Sequence, residues 1–587
     1  MKKIFLLIVA SILLSGCEDF LNKTNPENEA ADFFLKGDAE ADKVVNAMYA
    51  ALQWDSFYNR FLPMLCMIRS DEGCLTPNAS KMEENFITVA NYNSDAAEKY
   101  TTGLWRDIYL GIMRANFALE NIATMPNISD NVKKRSLAEA CFFRAFFNAQ
   151  LVMIFGEAVP VKTALSKSQA DFEPAPGSDG ELWQQILTDL QQSQALMTEI
   201  NYTNTDAKYA KGRVSLGTVT AYLGQAYLFY AQMKNKPEYY QKAADELAKV
   251  ISQQVGTYRL MDNYRDNFTN EKEYNAESIF EIGFSYIGSD VWGGDGANGV
   301  ETCWIAQNAG MSAGCSAVSP RWWNLAPSNS FLRHYEGNDY RKWMNLWCEN
   351  GAHYIDVAGV HAYKPVGAQL SMEFPENPYP KGEGGNYLGF RKYEFDFNHA
   401  QLNTLIESTA VSSKYSGMSN INFRVLRYAD VLLLYAECQI LGSTSDPAGK
   451  PAAACIAEIR QRANNQLSAS DDSFQHAYGN NLLPYFLSVG TMPDSYPNST
   501  DMAVRLQHER LVEFAGEGRR YFDIIRWYKS GNLKDIDTGS ATFGSNISST
   551  AALAEMLKIP TFIGKFLLPI PQYELNTNPK MHGNESN

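Results

Sequence analysis

With 587 residues, the chain has room for one large domain or several small ones. Apolar residues make up 45% and charged residues 20%, a balance that excludes a disordered chain and allows a sizeable core. The formal net charge of −15 repels phosphate backbones and acidic membrane surfaces. Nucleic acid is therefore not an expected partner, and membrane attachment needs a device other than surface charge.

The N-terminus offers that device. Lys2 and Lys3 precede an apolar run from Ile4 to Leu14, too short to cross a ~30 Å hydrocarbon core as a permanent helix. Leu14-Ser15-Gly16-Cys17 follows, with small residues before a cleavage point as in a signal peptide. This stretch resembles a bacterial lipobox, which implies that Cys17 is acylated and becomes the mature N-terminus. Several acyl chains anchor stably where one is marginal. An ordinary secretory signal with a coincidental Cys is the alternative. Glu18 and Asp19 resemble the acidic surface-display signal of Bacteroidetes lipoproteins, with a merely solvated linker as the bland reading. Residues 1–16 are thus read as a leader and 17–36 as a lipidated tether.

Helical periodicity begins at residues 37–53, with Val44, Val45, Met48, Ala51 and Leu52 on one stripe. Residues 101–123 repeat it with Leu104, Ile108, Ile112, Ala115 and Leu119. Residues 131–155 form a third helix through Cys141, Phe142, Ala145, Phe146, Ala149 and Val152, stopping near Gly156 with Pro160 beyond. Further helices are predicted at 180–199, 213–233 and 237–253. Their pairing at roughly 34–40 residues, with Ala221, Gly224, Ala226 and Ala231 at crossings, resembles tetratricopeptide helix pairs without their full signature; a generic bundle is the alternative.

Near residue 275 the character changes. Ser278 to Tyr286 reads as a strand, residues 287–330 are rich in Gly, Ser, Ala and Asn, and residues 350–420 are mixed with Pro-rich turns at 374–380. Helices return at 425–441, 448–464 and 501–529. The expected plan is mainly α. A helical part (37–270) and a C-terminal helical part (421–587) pack as one unit and carry a loop-rich, ligand-binding excursion (271–420).

Enzyme signatures are weak. Gly310-Met311-Ser312-Ala313-Gly314 matches G-x-S-x-G, and Gly294-Asp295-Gly296-Ala297-Asn298-Gly299 matches G-x-G-x-x-G. Both lie in loop-like surroundings without the strand and helix that such chemistry requires. The seven His are scattered, and no Cys/His spacing fits zinc. No cofactor is expected; Asp/Asn-containing loops permit Ca²⁺ without an EF-hand. Glycosidase carboxylates are defined by spatial separation, which sequence leaves open. Cys141, Cys438 and Cys455 read as small core residues, while Cys66/Cys74 and Cys303/Cys315 are spaced closely enough to pair. Glu509, Glu513 and Glu517, with Asp430 and Glu437, read as ion networks fixing helix packing. Arg510, Arg519, Arg520 and Arg526 are the expected cations.

Tryptophan is the most informative residue. Six of ten lie between 292 and 347. An indole on a polar, Gly-rich excursion can stack on the apolar face of a pyranose while nearby polar groups meet the hydroxyls. Trp292, Trp304, Trp322 and Trp323 are the candidates, with Asp290, Gln307, Asn308 and Asn324 as polar neighbours. A satellite apolar cluster or a partner interface is the alternative. For Trp343 and Trp347, spaced i, i+4 in a predicted helix, that alternative is preferred.

Several ordered segments then point one way. They include Leu104-Trp105-Arg106-Asp107-Ile108-Tyr109, Ile112-Met113-Arg114-Ala115-Asn116, Arg144-Ala145 with Phe155-Gly156-Glu157-Ala158-Val159-Pro160, and Gly212-Arg213-Val214. In the C-terminal half come Arg427-Tyr428-Ala429-Asp430 through Glu437, Ile459-Arg460-Gln461-Arg462-Ala463, Glu509-Arg510, Glu517-Gly518-Arg519-Arg520, Arg526-Trp527 and Leu568-Pro569-Ile570-Pro571. Together they resemble the SusD-like (RagB/SusD) family, with Cys438 and Gly516 as departures. The resemblance implies four tetratricopeptide-like helix pairs and a binding face built from the excursion and an early loop. In that loop Arg69, Asp71, Asn78 and Tyr92 are candidates. It also implies a non-catalytic, outward-facing outer-membrane lipoprotein, held to the membrane only by its anchor. Such a protein passes an oligosaccharide to a SusC-like TonB-dependent transporter. A peptide ligand and a surface glycosidase are the rival expectations.

Overall fold

The computed structural model describes residues 35–75, 84–90, 92–165, 173–200, 212–284, 324–328, 331, 334–336, 339, 341–348, 352–357, 360–365, 388–390, 392–393, 421–465, 497–534 and 566–584. Helix α1 (Asp38–Ala51) buries Ala41, Val45, Met48 and Ala51 along one stripe, as its spacing requires. A π-turn at Asp55–Asn59 leads into α2 (Phe61–Ile68), every residue of which is buried. A segment apolar on all sides has no periodicity to reveal it, and α2 is absent from the sequence expectations for that reason.

After the short α3 (Glu84–Ala90), α4 (Lys99–Thr124) starts where the Glu98 carboxylate accepts the Tyr100 and Thr101 backbone N–H groups, each at 2.7 Å. Its partner α5 (Asp130–Phe155) is long and apolar enough to cross a membrane, yet it lies in the interior among α1, α4 and α6 (Glu181–Thr198). Phe142, Phe143, Phe146 and Phe147 of α5 form an aromatic cluster with Tyr222 and Phe280. A Ser215/Thr218 capping box opens α7 (Leu216–Met233), which packs on α8 (Glu238–Ile251). Gly224 sets that crossing: a Cβ there would stand 2.7 Å from Leu247 Cγ and 3.3 Å from the Ala243 carbonyl oxygen.

The array continues with α8 against α10 (Tyr428–Gly442), α10 against α11 (Ala452–Asn465), and α12 (Met502–Phe514) against both. This is the mainly α, tetratricopeptide-like architecture expected. The pairings among described strands are two-stranded: β1 (Gly73–Leu75) with β3 (Leu325–Pro327), β2 (Ser278–Ile282) with β8 (Phe423–Arg427), β4 (Leu346–Cys348) with β7 (Leu388–Phe390), and β5 (Ala352–Val357) with β6 (Val360–Pro365). All are antiparallel.

Three expectations need correction. Residues 425–427 belong to β8, because pairing with β2 overrides helical propensity. The segment 501–529 is two helices, α12 and α13 (Arg520–Lys529), since Gly516 and Gly518 take φ of +77° and +67° between them. Trp343 and Trp347 do not share a helix: α9 (Arg341–Asn345) ends first, and Trp347 pairs with Gly389 in the β4–β7 ladder. Cys66 is a free, buried thiol on α2 and makes no disulfide with Cys74; Cys141, Cys438 and Cys455 are likewise free and buried. Cys303 and Cys315 lie outside the described residues.

Candidate ligand-binding site

The floor under the excursion is a buried ion network. Arg427, at the end of β8, donates to Glu277 at 2.6 Å, Glu513 at 2.6 Å and Glu517 at 2.9 and 2.8 Å. Arg341 of the excursion donates to Asp339 at 2.9 and 2.7 Å, Glu509 at 2.6 Å and Glu513 at 2.8 Å. Arg462 reaches Glu277 at 2.7 Å and also Glu513, and Lys392 reaches Glu517 at 2.7 Å. Burial by itself would raise the Glu513 carboxyl, but the Arg462, Arg427 and Arg341 guanidiniums outweigh it and hold it well below the usual carboxylate range. Burial pushes the Lys392 ammonium down to about 8, against the pull of Glu517. The excursion is thus pinned to α12 by charge-assisted bonds.

The cations on Glu509, Glu513 and Glu517 differ from those expected, whereas Asp430 and Glu437 are met by expected ones. Arg510 pairs with Asp523 at 2.8 Å and Asp430 at 2.9 Å, and Arg519 with Asp430 at 3.2 Å. Arg526 reaches Glu437 and Asp523, and Arg520 reaches Asp71. Arg510 points about 100° away from the adjacent Glu509 and is taken up by Asp523 and Asp430 from other segments.

Two segments distant in sequence also meet. In the β1–β3 ladder Gly73 faces Pro327, Cys74 faces Ala326 and Leu75 faces Leu325. The Ser328 backbone N–H donates to the Glu72 carbonyl at 3.0 Å, and its hydroxyl donates to the Asp71 carbonyl 257 positions away. The early loop and the excursion, separate candidate rims in the sequence, are therefore joined. Leu75 and Leu325 share one end of the ladder. In sequence Asn78 follows Leu75 shortly, and Trp322 and Trp323 directly precede Asn324, which is buried. Trp292, Trp304, Trp322, Trp323, Asn78 and Cys17 themselves lie outside the described residues.

Three candidate contacts prove to be interior. Arg69 is 1% exposed, its guanidinium 4.3 Å from the Tyr92 ring centroid and 5.6 Å from that of Tyr521. The Tyr92 hydroxyl donates to the Arg69 carbonyl at 2.8 Å. Asp71, fully buried, accepts both arms of the Arg520 guanidinium at 2.7 Å. These residues tie the segment leading into β1 to α13. A charged loop reads as exposed from sequence because its partner, Arg520, stands 449 positions away. Among the described residues no group of three or more His, Cys, Asp or Glu could hold a metal ion.

Glu72 braces the same place, its carboxyl accepting the Gly516 N–H at 2.9 Å. Burial pushes this carboxyl from 4.5 up to about 8. The unfolded chain releases the proton near 4.5 and the folded chain only near 8, so stability falls as pH rises between them. Glu72→Gln keeps the acceptor and removes the charge. The variant should therefore be more stable than wild type at pH 8.5, by roughly 1–3 kcal/mol, with the gap closing toward pH 5. Denaturant titrations at the two pH values check this, and parallel pH profiles would contradict it.

Comparison with known proteins agrees with this architecture. A family model described as the SusD family matches residues 247–586, and one described as "Starch-binding associating with outer membrane" matches residues 19–228. The chain belongs to the SusD family. It is similar to SusD-like protein P2 of Formosa agariphila, 24% identical over 98% of each chain. A SusD homolog from Bacteroides thetaiotaomicron shares its fold at a TM-score of 0.66 and 19% identity, covering 96% of this chain and 99% of the other. So does surface glycan-binding protein A from the same organism, solved with laminarihexaose, at a TM-score of 0.63 and 19% identity, covering 94% of this chain and all of the other.

Proposed function

We propose that this protein is a non-catalytic, cell-surface glycan-binding lipoprotein that captures an oligosaccharide and delivers it to a SusC-like TonB-dependent outer-membrane transporter. The observation that carries the reading is the β1–β3 ladder, which joins the early loop to the strand that begins two residues after Trp323 in sequence. The laminarihexaose held by a relative of the same fold supports a glycan as ligand. The concentration of indoles in the excursion favours a stacked sugar over a peptide, which would call for backbone-pairing edges. The carboxylates in the floor are buried and bound by Arg and Lys, a poor setting for acid–base chemistry on a glycoside. Affinity electrophoresis against a panel of polysaccharides tests the function. Retardation by at least one glycan without release of reducing ends is expected; release of reducing ends would make the protein a glycosidase.

In this reading the acyl chains on Cys17 are the sole hold on the membrane. Cys17→Ala should leave the protein folded but move it out of the membrane fraction in cells lacking the transporter. Its retention there would refute the anchor.

A further inference from the structure

Between the β1–β3 ladder and Arg341, the excursion meets α12 through a pair of histidines. His334 Nδ1 lies 2.9 Å from His508 Nδ1, with the ring centroids 5.2 Å apart. Both imidazoles are buried, at 4% and 3% exposure. His334 is tied into its own segment: its backbone N–H donates to the Phe331 carbonyl, and the Phe331 N–H donates to the Ser328 hydroxyl. His508 stands on α12 beside Glu509. A neutral imidazole carries one N–H, so this contact is a hydrogen bond only while one Nδ1 holds a proton and the other does not. A second proton in the gap leaves two N–H groups facing each other without an acceptor and puts a positive charge in the interior. The surrounding cations add to that penalty. Burial first, then Arg460 of α11, Arg341 of α9 and Arg520 of α13, hold the His508 imidazole down from 6.5 to about 3. The neighbouring carboxylates are engaged elsewhere: Glu509 by Arg341 and Arg460, Asp339 by Arg341, Glu336 by Arg460, and Asp71 by Arg520.

We infer that the His334–His508 contact is an acid-labile latch, which holds the segment from Ser328 to Arg341 against α12 at neutral pH and releases it as the medium acidifies. Once the segment opens, His508 meets water and regains an ordinary imidazole affinity for protons. The open form then takes up a proton that the closed form refuses. The latch therefore holds fully above about pH 6.5 and weakens progressively as pH falls toward 3. With 6.5 in the open form and about 3 in the closed one, His508 alone favours opening by roughly 25-fold between pH 7 and pH 5. Glu72 acts in the opposite sense, because its carboxyl is raised to about 8 and steadies the fold as pH falls. Comparison with a variant isolates the histidine. The segment continues directly from β3, so its release reaches the β1–β3 ladder. The latch governs how the excursion is held, whatever ligand the protein binds.

Hydrogen exchange of the purified full chain at pH 7 and pH 5, read by mass spectrometry and corrected for the intrinsic pH dependence, reports the opening of peptides spanning residues 328–345. His508→Asn keeps a polar group near the Nδ1 position and cannot take up a proton. In the folded variant, the change in opening from pH 7 to pH 5 should lack the roughly 25-fold histidine contribution present in wild type. A difference between the two profiles below about threefold, or one of opposite sign, overturns the inference. A second measurement needs no substitution. Of the seven histidines in the chain, at least one should give an NMR ring signal that stays neutral down to pH 5 in the folded protein. Titration of all seven near 6.5 overturns the inference equally.

Discussion

Replacing Arg427 with alanine is expected to destabilise the protein by ~3–5 kcal/mol, the scale seen when one partner of a buried ion pair is removed. Arg427 is fully buried and compensates Glu277, Glu513 and Glu517 at once. Without it, among the described residues Glu517 keeps Lys392, and Glu513 keeps Arg341 and Arg462. The same carboxylates hold Arg341 and Lys392 of the excursion, so the damage should reach the excursion as well as the helical array. Urea denaturation gives the loss, and limited proteolysis between residues 285 and 420 should show earlier cleavage in the variant. A change below about 0.5 kcal/mol, within the range of ordinary surface substitutions, would mean that the network is not the floor described here.

The second large effect concerns binding. Truncating Trp304, Trp322 and Trp323 together to alanine should weaken glycan binding at least ~100-fold, because an aromatic hot spot contributes ~2 kcal/mol or more and each 1.4 kcal/mol is about tenfold. Helical content and melting temperature should change little, since the sequence reads the segment carrying these indoles as an excursion from the helical scaffold. Trp527→Ala is the contrasting control. That indole is fully buried on α13 and donates to Glu437 at 2.7 Å, so its loss should destabilise the fold by ~3–5 kcal/mol. Unchanged affinity of the triple variant for a confirmed glycan would place the stacking surface elsewhere. Loss of helix and stability would make those indoles part of the core.

The helices flanked by polar residues are legible in the sequence. Those at 37–53, 101–123, 131–155, 180–199, 213–233 and 237–253 are close to α1, α4, α5, α6, α7 and α8. Their order depends on apolar spacing, caps and glycine stops that act within a few residues. The row of Glu509, Glu513 and Glu517 is legible as a packing network for the same reason, and so is the family, from motifs spread along the chain. Partner choice is not. Glu513 is held by Arg341, Arg427 and Arg462, which stand 172, 86 and 51 positions away. Asp71 is interior only because Arg520 arrives from α13 and β1 pairs with β3. No local pattern encodes those meetings. Whether a charged loop residue faces solvent or a guanidinium depends on desolvation and ion pairing between segments brought together by the whole fold. That is why Arg69, Asp71 and Tyr92 read as a rim in one dimension and are interior in three.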